Sequence, residues 1–481
     1  MKKLLTKSKY LQGLQCSKLL WASVNDKNRF PETDMALQQI FDTGTEVGVL
    51  ATTLFDGIKV PEASFMGNIF ATKKLLTAKK TLFEAGIMVD GLFSRADILV
   101  PVGGEWDIIE VKSSTEVKDV NIHDVSFQKY VYEKAGLKIR KCFLMFINNE
   151  YVRQGDLDVN QLFTKEEITS QVEEFSVDIE ERIEKMFAVI TDVEPSVSIN
   201  PDCSKPYVCA LKDECWKFLP SNSVFSLSRG GKKSWMLFDS DIIEIKNIPA
   251  DFKLTSKQEI QRSGEVFIDV EKIKDFISGL NYPIYYFDFE TINPCIPLFD
   301  GMKPYQRLPF QYSLHIQSEK GGSLEHVSFL AEPGDCRSAI LESMKKNLGS
   351  VGTILAWNQS FEIGVIKELV AFDNSYSSWG ASVIERMDDL IIPFRNFYYY
   401  NPVQEGSASL KKVLPALTKL SYSELEIGNG GDASSSFMKI VAGSASDEEV
   451  TSIRKALEKY CELDTYAEVK ILAALVKIVE D

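Results

Sequence analysis

Two apolar runs, Ala96-Asp-Ile-Leu-Val-Pro-Val102 and Trp106-Asp-Ile-Ile-Glu-Val111, flank Gly103-Gly104. A two-residue loop of this kind closes tight hairpins. Pairing across it sets Asp97 directly opposite Glu110, with Cβ atoms about 5 Å apart. Lys112, two residues beyond Glu110, leaves the same face because side chains alternate along a strand. Two acids and a lysine therefore converge. They form either an exposed salt bridge or a cluster that holds a divalent cation beside an ammonium group.

The pattern elsewhere predicts a chain of mixed helices and strands. Residues 4–22 read as an opening helix with Cys16 near its end, and Phe41 to Phe55 as a second helix. A strand begins at Thr81, where Glu84 either shares the pocket of Asp97 or stays solvated. Asp124 to Ala135 reads as a helix with Gln128 and Tyr132 one turn apart, Lys141 to Asn148 as a buried strand, and residues 165–192 as one amphipathic helix. Residues 221–280 carry mixed signals and read as a connector, and Gly428 to Ser436 as a mobile loop.

The second half restarts with Ile284-Tyr-Tyr-Phe-Asp-Phe-Glu-Thr291. Asp288 and Glu290 are two apart and leave one face of an otherwise apolar strand. Acids there are costly unless compensated, and a metal ion is the usual compensation. A strand from Thr353 to Asn358 leads into a helix with Glu362 in its first turn. Ser446-Asp-Glu-Glu449 is a capping box, and the helix it opens has a stripe of Ile453, Leu457, Tyr460, Asp464, Ala467 and Ile471. An acid inside a core-facing stripe is rare as mere structure.

The length of 481 residues implies two or three domains, and we divide the chain at 1–220, 221–280 and 281–481. No apolar run reaches a membrane span and the start lacks a secretory core, which predicts a cytoplasmic protein. The formal charge of −15 argues against non-specific coating of nucleic acid. Local clusters at Lys73, Lys74, Lys79 and Lys80, or at Arg229, Lys232 and Lys233, read as solvated faces or as phosphate contacts. Three histidines disfavour His-rich zinc centres and histidine triads. Of eight cysteines, Cys203, Cys209 and Cys215 recur at even spacing and Cys16 stands far upstream. This spacing fits zinc poorly. Four thiolates suit an iron–sulfur cluster, with zinc and plain buried thiols as the alternatives. Cys142, Cys295, Cys336 and Cys461 read as core.

The order Asp97, Glu110, Lys112, then Gln128 and Tyr132, resembles the RecB-type branch of the PD-(D/E)xK nucleases. That resemblance implies metal binding by Asp97 and Glu110, a transition-state role for Lys112, and Gln128 and Tyr132 on the DNA-facing side. In many relatives a histidine stands where this chain has Gly48, which leaves Glu46 as a weak candidate for the first motif. One early cysteine plus three late ones is similar to the AddB and CRISPR-adaptation relatives, implying a [4Fe-4S] cluster on Cys16, Cys203, Cys209 and Cys215. Asp288-x-Glu290, Asn358-x2-Phe-Glu362 and Tyr460-x3-Asp464 together resemble the DnaQ-type DEDD exonucleases with a tyrosine in the third motif. This implies an RNase H-like fold, Mg2+ or Mn2+ held by Asp288, Glu290, Glu362 and Asp464, and a water-positioning Tyr460. Glu362 departs from the usual Asp, and Asp388 and Asp389 are its rivals. Leu308-Pro-Phe-Gln-Tyr-Ser and Gly406-Ser-Ala-Ser-Leu-Lys411 resemble landmarks of a bacterial family that pairs these halves.

The expected fold is therefore α/β, a PD-(D/E)xK restriction-endonuclease-like domain followed by an RNase H-like exonuclease domain. The leading functional expectation is a metal-dependent nuclease with two active sites, degrading DNA ends or single strands in repair or defence. The alternatives are an RNA 3′–5′ exonuclease whose first domain only binds, and a non-catalytic scaffold for nucleic-acid ends.

Overall fold

The computed structural model describes residues 3–61, 64–423 and 425–481. The chain is mixed α/β and divides into two units, Met1–Lys217 with Pro294–Gln306, and Phe218–Asn293 with Arg307–Asp481.

The first unit contains β1 (Leu5–Thr6), α1 (Lys7–Gln15), α2 (Ser17–Asn25), α3 (Met35–Thr52), β2 (Gly57–Lys59), α4 (Phe65–Leu75), β3 (Thr81–Val89), β4 (Leu92–Val102) and β5 (Glu105–Lys112). It continues through α5 (Asp119–Lys134), β6 (Ile139–Ile147), α6 (Val159–Leu162), β7 (Phe163–Glu167), α7 (Thr169–Phe175), α8 (Ile179–Thr191) and α9 (Lys212–Trp216). Its sheet runs β2-β3-β4-β5-β6-β7, with β1 beside β4. The glycine hairpin holds the expected register, pairing Val102 with Glu105 through to Ile98 with Ile109. One step further in that register are Asp97 and Glu110.

Strand β5 is buried on both faces, which explains its near-continuous apolar run. Ile108 packs with Tyr10, Phe127 and Tyr132 on one side, while Ile109 packs with Val47 and Ala51 of α3 on the other. Glu110 follows Ile108 by two and so shares the side covered by α1 and α5. The expected helix over 4–22 is instead β1, α1 and α2, because Cys16 is extended (φ −162°) and breaks the helical run. The single helix expected over 165–192 is β7, α7 and α8, since Phe163–Glu167 completes the sheet edge against β6.

The second unit comprises α10 (Lys232–Phe238), α11 (Ser256–Ser263), β8 (Phe267–Ile268), α12 (Val270–Ser278), β9 (Ile284–Ile292), β10 (Leu308–Gln317), β11 (Leu324–Leu330), α13 (Arg337–Asn347), β12 (Thr353–Ala356) and α14 (Ser360–Phe372). It ends with α15 (Ser377–Glu385), β13 (Met387–Asp389), α16 (Ile392–Arg395), β14 (Tyr399–Tyr400), α17 (Leu410–Leu417), α18 (Gly430–Val441) and α19 (Asp447–Glu480). The main sheet has the order β11-β10-β9-β12-β13. Its first three strands are antiparallel, and β12 and β13 run parallel to β9.

Phe287 and Phe289 pack under α13, α14 and α15, whereas Tyr286 packs with Val413, Leu414, Ala467 and Ile471. Asp288 and Glu290 share the side of Tyr286, beneath α19. The predicted capping box is present, with Ser446 accepting from the Glu449 amide and Glu449 returning to the Ser446 amide. The loop expected over 428–436 is largely the start of α18. Asn429 caps it by accepting from Asp432 N at 3.0 Å, a role that its place beside glycines concealed.

Candidate functional site

Among the described residues, two clusters of chemistry-bearing side chains form in the first unit and an acid cluster forms in the second. In the first, Lys112 Nζ lies 2.6 Å from Glu110 Oε1 and 2.7 Å from Asp124 Oδ2. Lys7, at the start of α1, lies 2.7 Å from Glu110 and 3.3 Å from Asp124. Gln128 Nε2 donates to Glu110 Oε2 at 2.5 Å, and Asp97 Oδ2 accepts from Val111 N at 2.7 Å. Burial would raise the Glu110 carboxyl, but the two lysines outweigh it and hold it well below the usual range. Burial, then the charge of Glu110, pushes Asp97 up to about 7. Three acids thus face two ammonium groups, and much of the charge is already compensated by the chain itself.

Lys7 and Asp124 are the members that sequence reading missed. Asp124 had a signal, since it stands one turn before Gln128 on the same helical face; Lys7 had none. Tyr132 is fully buried and bonds the backbone rather than an acid. Its hydroxyl donates to Ala85 O and accepts from Ala96 N at 2.9 Å, tying α5 to β3 and β4. Glu84 pairs with Arg95 at 2.8 Å. Glu46 is exposed on α3, whose buried face is Val47 and Ala51. Lys73, Lys74, Lys79 and Lys80 are exposed, while Lys233 binds Lys253 O and Gln258.

The four cysteines Cys16, Cys203, Cys209 and Cys215 line one small pocket with Leu19 and Leu211. Burial raises the Cys209 thiol, and the other three thiols add to that rise. Among the described residues, no three of these sulfurs come within 4.8 Å of one another. The other four cysteines are buried, as expected.

In the second unit, Asp288, Glu290 and Asp464 each bring a carboxylate oxygen to within 4.8 Å of the others. Glu362 and Glu468 add two buried acids, each with one oxygen, Oε2, that lacks a hydrogen-bond partner. Burial drives Asp288 well above the ordinary range, and Asp464, Glu290 and Glu362 drive it further. Burial with neighbouring acids also raises Glu290 and Glu362, each to about 8. Asp464 rises only to about 6, because a hydrogen bond from Tyr422 and the charge of Lys411 oppose its burial. The Tyr422 hydroxyl donates to Asp464 Oδ1 at 2.5 Å. Lys411 lies over the rings of Tyr422 and Tyr460, at 5.5 and 5.9 Å. Tyr460 is buried one helix turn before Asp464.

Glu468, Tyr422 and Lys411 were not foreseen as site residues. Glu468 lies one turn past Asp464 and is fully buried, and its carboxyl is driven well above the ordinary range by burial and by Glu362 and Asp464. Of the two rivals of Glu362, Asp389 lies close enough to raise both Glu362 and Glu468, and each rival has one oxygen held by backbone amides. Asp389 Oδ1 accepts from Asn358 N and Ile391 N at 2.9 and 3.1 Å, and Asp388 Oδ1 from Asp389 N at 2.8 Å. Five acids with Lys411 and Arg307 nearby, and two orphaned oxygens, make a donor set suited to hard divalent cations.

No helix of the described residues is long and apolar enough to cross a membrane. Residues 285–409 match the family model DUF2779, a domain of unknown function. That span contains Asp288, Glu290 and Glu362 and stops before α19. The chain is 25% identical over 228 residues to "Uncharacterized protein UU173" of Ureaplasma parvum, covering 43% of this chain and 33% of the relative. It is 24% identical over 240 residues to "Uncharacterized protein MG366" of Mycoplasma genitalium, covering 46% and 36%. The chain therefore spans about a third of the length of the curated relatives it matches.

Proposed function

We propose that the protein is a metal-dependent nuclease with an exonuclease centre at Asp288, Glu290, Glu362 and Asp464 and a second nuclease centre at Asp97, Glu110 and Lys112. The observation that carries this reading is the buried acid cluster of the second unit, where burial raises five carboxyls, neighbouring acids raise four of them further, and Lys411 and Arg307 compensate only in part. Such a cluster is costly without an added positive charge. Mg2+ or Mn2+ bound there would neutralise the acids and lower the pKa of a bound water. The chain's own contribution is orientation. Tyr422 fixes one oxygen of Asp464, Tyr460 presents a hydroxyl beside it, and Lys411 offers the positive charge that draws a phosphate toward the acids. The β11-β10-β9-β12-β13 order is in keeping with an RNase H-like sheet.

The first unit is read as PD-(D/E)xK-like, with Lys112 stabilising charge on the phosphate and Gln128 orienting Glu110. Its pocket of thiols would hold a [4Fe-4S] cluster that ties α1 and α2 to the segment after α8. DNA is the favoured substrate, with the cytoplasm as the site of action in repair or defence. A second reading, an RNA 3′–5′ exonuclease whose first unit only binds nucleic acid, is favoured by one observation. Lys7 and Lys112 already neutralise Glu110 and Asp124, leaving less need for a metal there.

Degradation of end-labelled DNA and RNA with Mg2+, Mn2+ or chelator tests the proposal. Metal-dependent release of mononucleotides is expected. Intact substrates of both kinds under every metal condition would reject it.

A further inference from the structure

Outside the acid cluster, the second unit gathers two of the chain's three histidines on one face. His315 of β10 and His326 of β11 are direct cross-strand partners, with ring centroids 4.5 Å apart. Glu462 of α19 lies over them, its Oε1 3.8 Å from His326 Nδ1. One nitrogen from each ring and a Glu462 oxygen fall within 4.8 Å of one another.

Hydroxyls hold each ring at a known nitrogen. His315 Nδ1 is 2.8 Å from Thr465 Oγ1, and His326 Nε2 is 3.0 Å from Ser313 Oγ. Ser313 and Thr465 are themselves 2.7 Å apart. This is the arrangement that orients metal-binding imidazoles, in which one nitrogen is fixed by a hydrogen bond and the other is left as the ligand. It leaves Nε2 of His315 and Nδ1 of His326, the latter being the atom nearest Glu462.

We infer that His315, His326 and Glu462 form a site for a zinc-class divalent ion, separate from the all-oxygen site at Asp288, Glu290 and Asp464. Two imidazoles and one carboxylate match the ligand preference of Zn2+ and leave a fourth position for water. Magnesium prefers oxygen ligands and does not compete well for such a set. The site is reachable, because the His326 side chain is 29% exposed and that of Glu462 52%. It also adjoins the acid centre through the sheet. Ser313, which fixes His326, is the register partner of Asp288, and Glu462 lies two residues before Asp464 on α19. An ion here would pin β10, β11 and α19 around Asp288 and Asp464.

Ring-labelled histidine NMR of the full chain reads this directly, because three histidines give few signals and His→Asn variants assign them. Zinc alone is expected to shift the His315 and His326 rings together and leave His123 in place. Glu462→Gln, at an exposed position, should weaken that shift at least tenfold in zinc concentration. His326→Asn should abolish it at His315. The inference is overturned if both rings stay unmoved in excess zinc, or if zinc moves His315 equally in wild type, Glu462→Gln and His326→Asn.

Discussion

Replacing Asp464 by Asn should stabilise the metal-free protein while weakening its response to metal. The carboxyl is buried and held at about 6, against 3.8 for an ordinary aspartate. Each unit of that difference corresponds to about 1.4 kcal/mol, so the ionised group costs on the order of 3 kcal/mol. The sign follows from proton binding. Below the unfolded value both states are protonated and no cost exists; it grows as pH rises through the folded value near 6 and is then constant. Asn keeps the shape and can still accept from Tyr422, but it carries no charge, and it relieves Asp288 and Glu290 of a repelling neighbour. In chelator the Asp464→Asn protein should therefore match wild type near pH 4 and exceed it by about 1–3 kcal/mol at pH 7. With Mn2+ at a hundred times its dissociation constant, wild type should gain about 2.7 kcal/mol and the variant much less, which closes or reverses the gap. Urea unfolding of both proteins across pH 4–8, with and without metal, gives the comparison. A variant less stable than wild type in chelator at pH 7, with an undiminished gain from metal, would refute the reasoning.

Tyr422→Phe removes a hydrogen bond that lowers the Asp464 pKa; the acid limb of the pH–rate profile should move to higher pH, and an unmoved limb would contradict the assigned role. Tyr460→Phe should be milder than Asp464→Asn in rate assays, since it removes only a hydroxyl. Lys112→Ala should abolish activity of the first centre by about 10²–10³-fold with circular dichroism unchanged, because Lys7 still faces Glu110 and Asp124. Anaerobic protein should contain iron and acid-labile sulfide, and Cys209→Ser should bleach it; stoichiometric zinc without iron would count against the cluster.

The parts of this architecture that sequence made legible are those fixed by short-range geometry. The hairpin register followed from Gly103-Gly104, the alternation of Asp288 and Glu290 from strand period, and the start of α19 from its capping box. What escaped depended on contacts between distant segments. Lys7 sits at the start of a helix whose neighbours are set only when α1 lies across β5 and α5. Tyr422 and Lys411 come from the segment around α17, where the landmark ending at Lys411 carries no chemical role and Tyr422 stands in no motif. Glu468 was hidden differently. The stripe of α19 was drawn too narrow, whereas Tyr460, Cys461, Asp464, Thr465, Ala467 and Glu468 are all buried because the helix is enclosed on more than one side. The helix expected over 4–22 failed for the opposite reason, since pairing of Leu5–Thr6 with Leu92 and Phe93 overrides local helical preference.

The central claim, two independent hydrolytic centres, is tested most directly by one matrix. Wild type, Lys112→Ala, Asp464→Asn and the double variant are compared on 5′-labelled single-stranded and duplex DNA with Mn2+. Asp464→Asn is expected to lose stepwise shortening from the 3′ end, Lys112→Ala to lose a distinct cleavage pattern while keeping the stepwise one, and the double variant to be inert. Full activity in the double variant would contradict that claim.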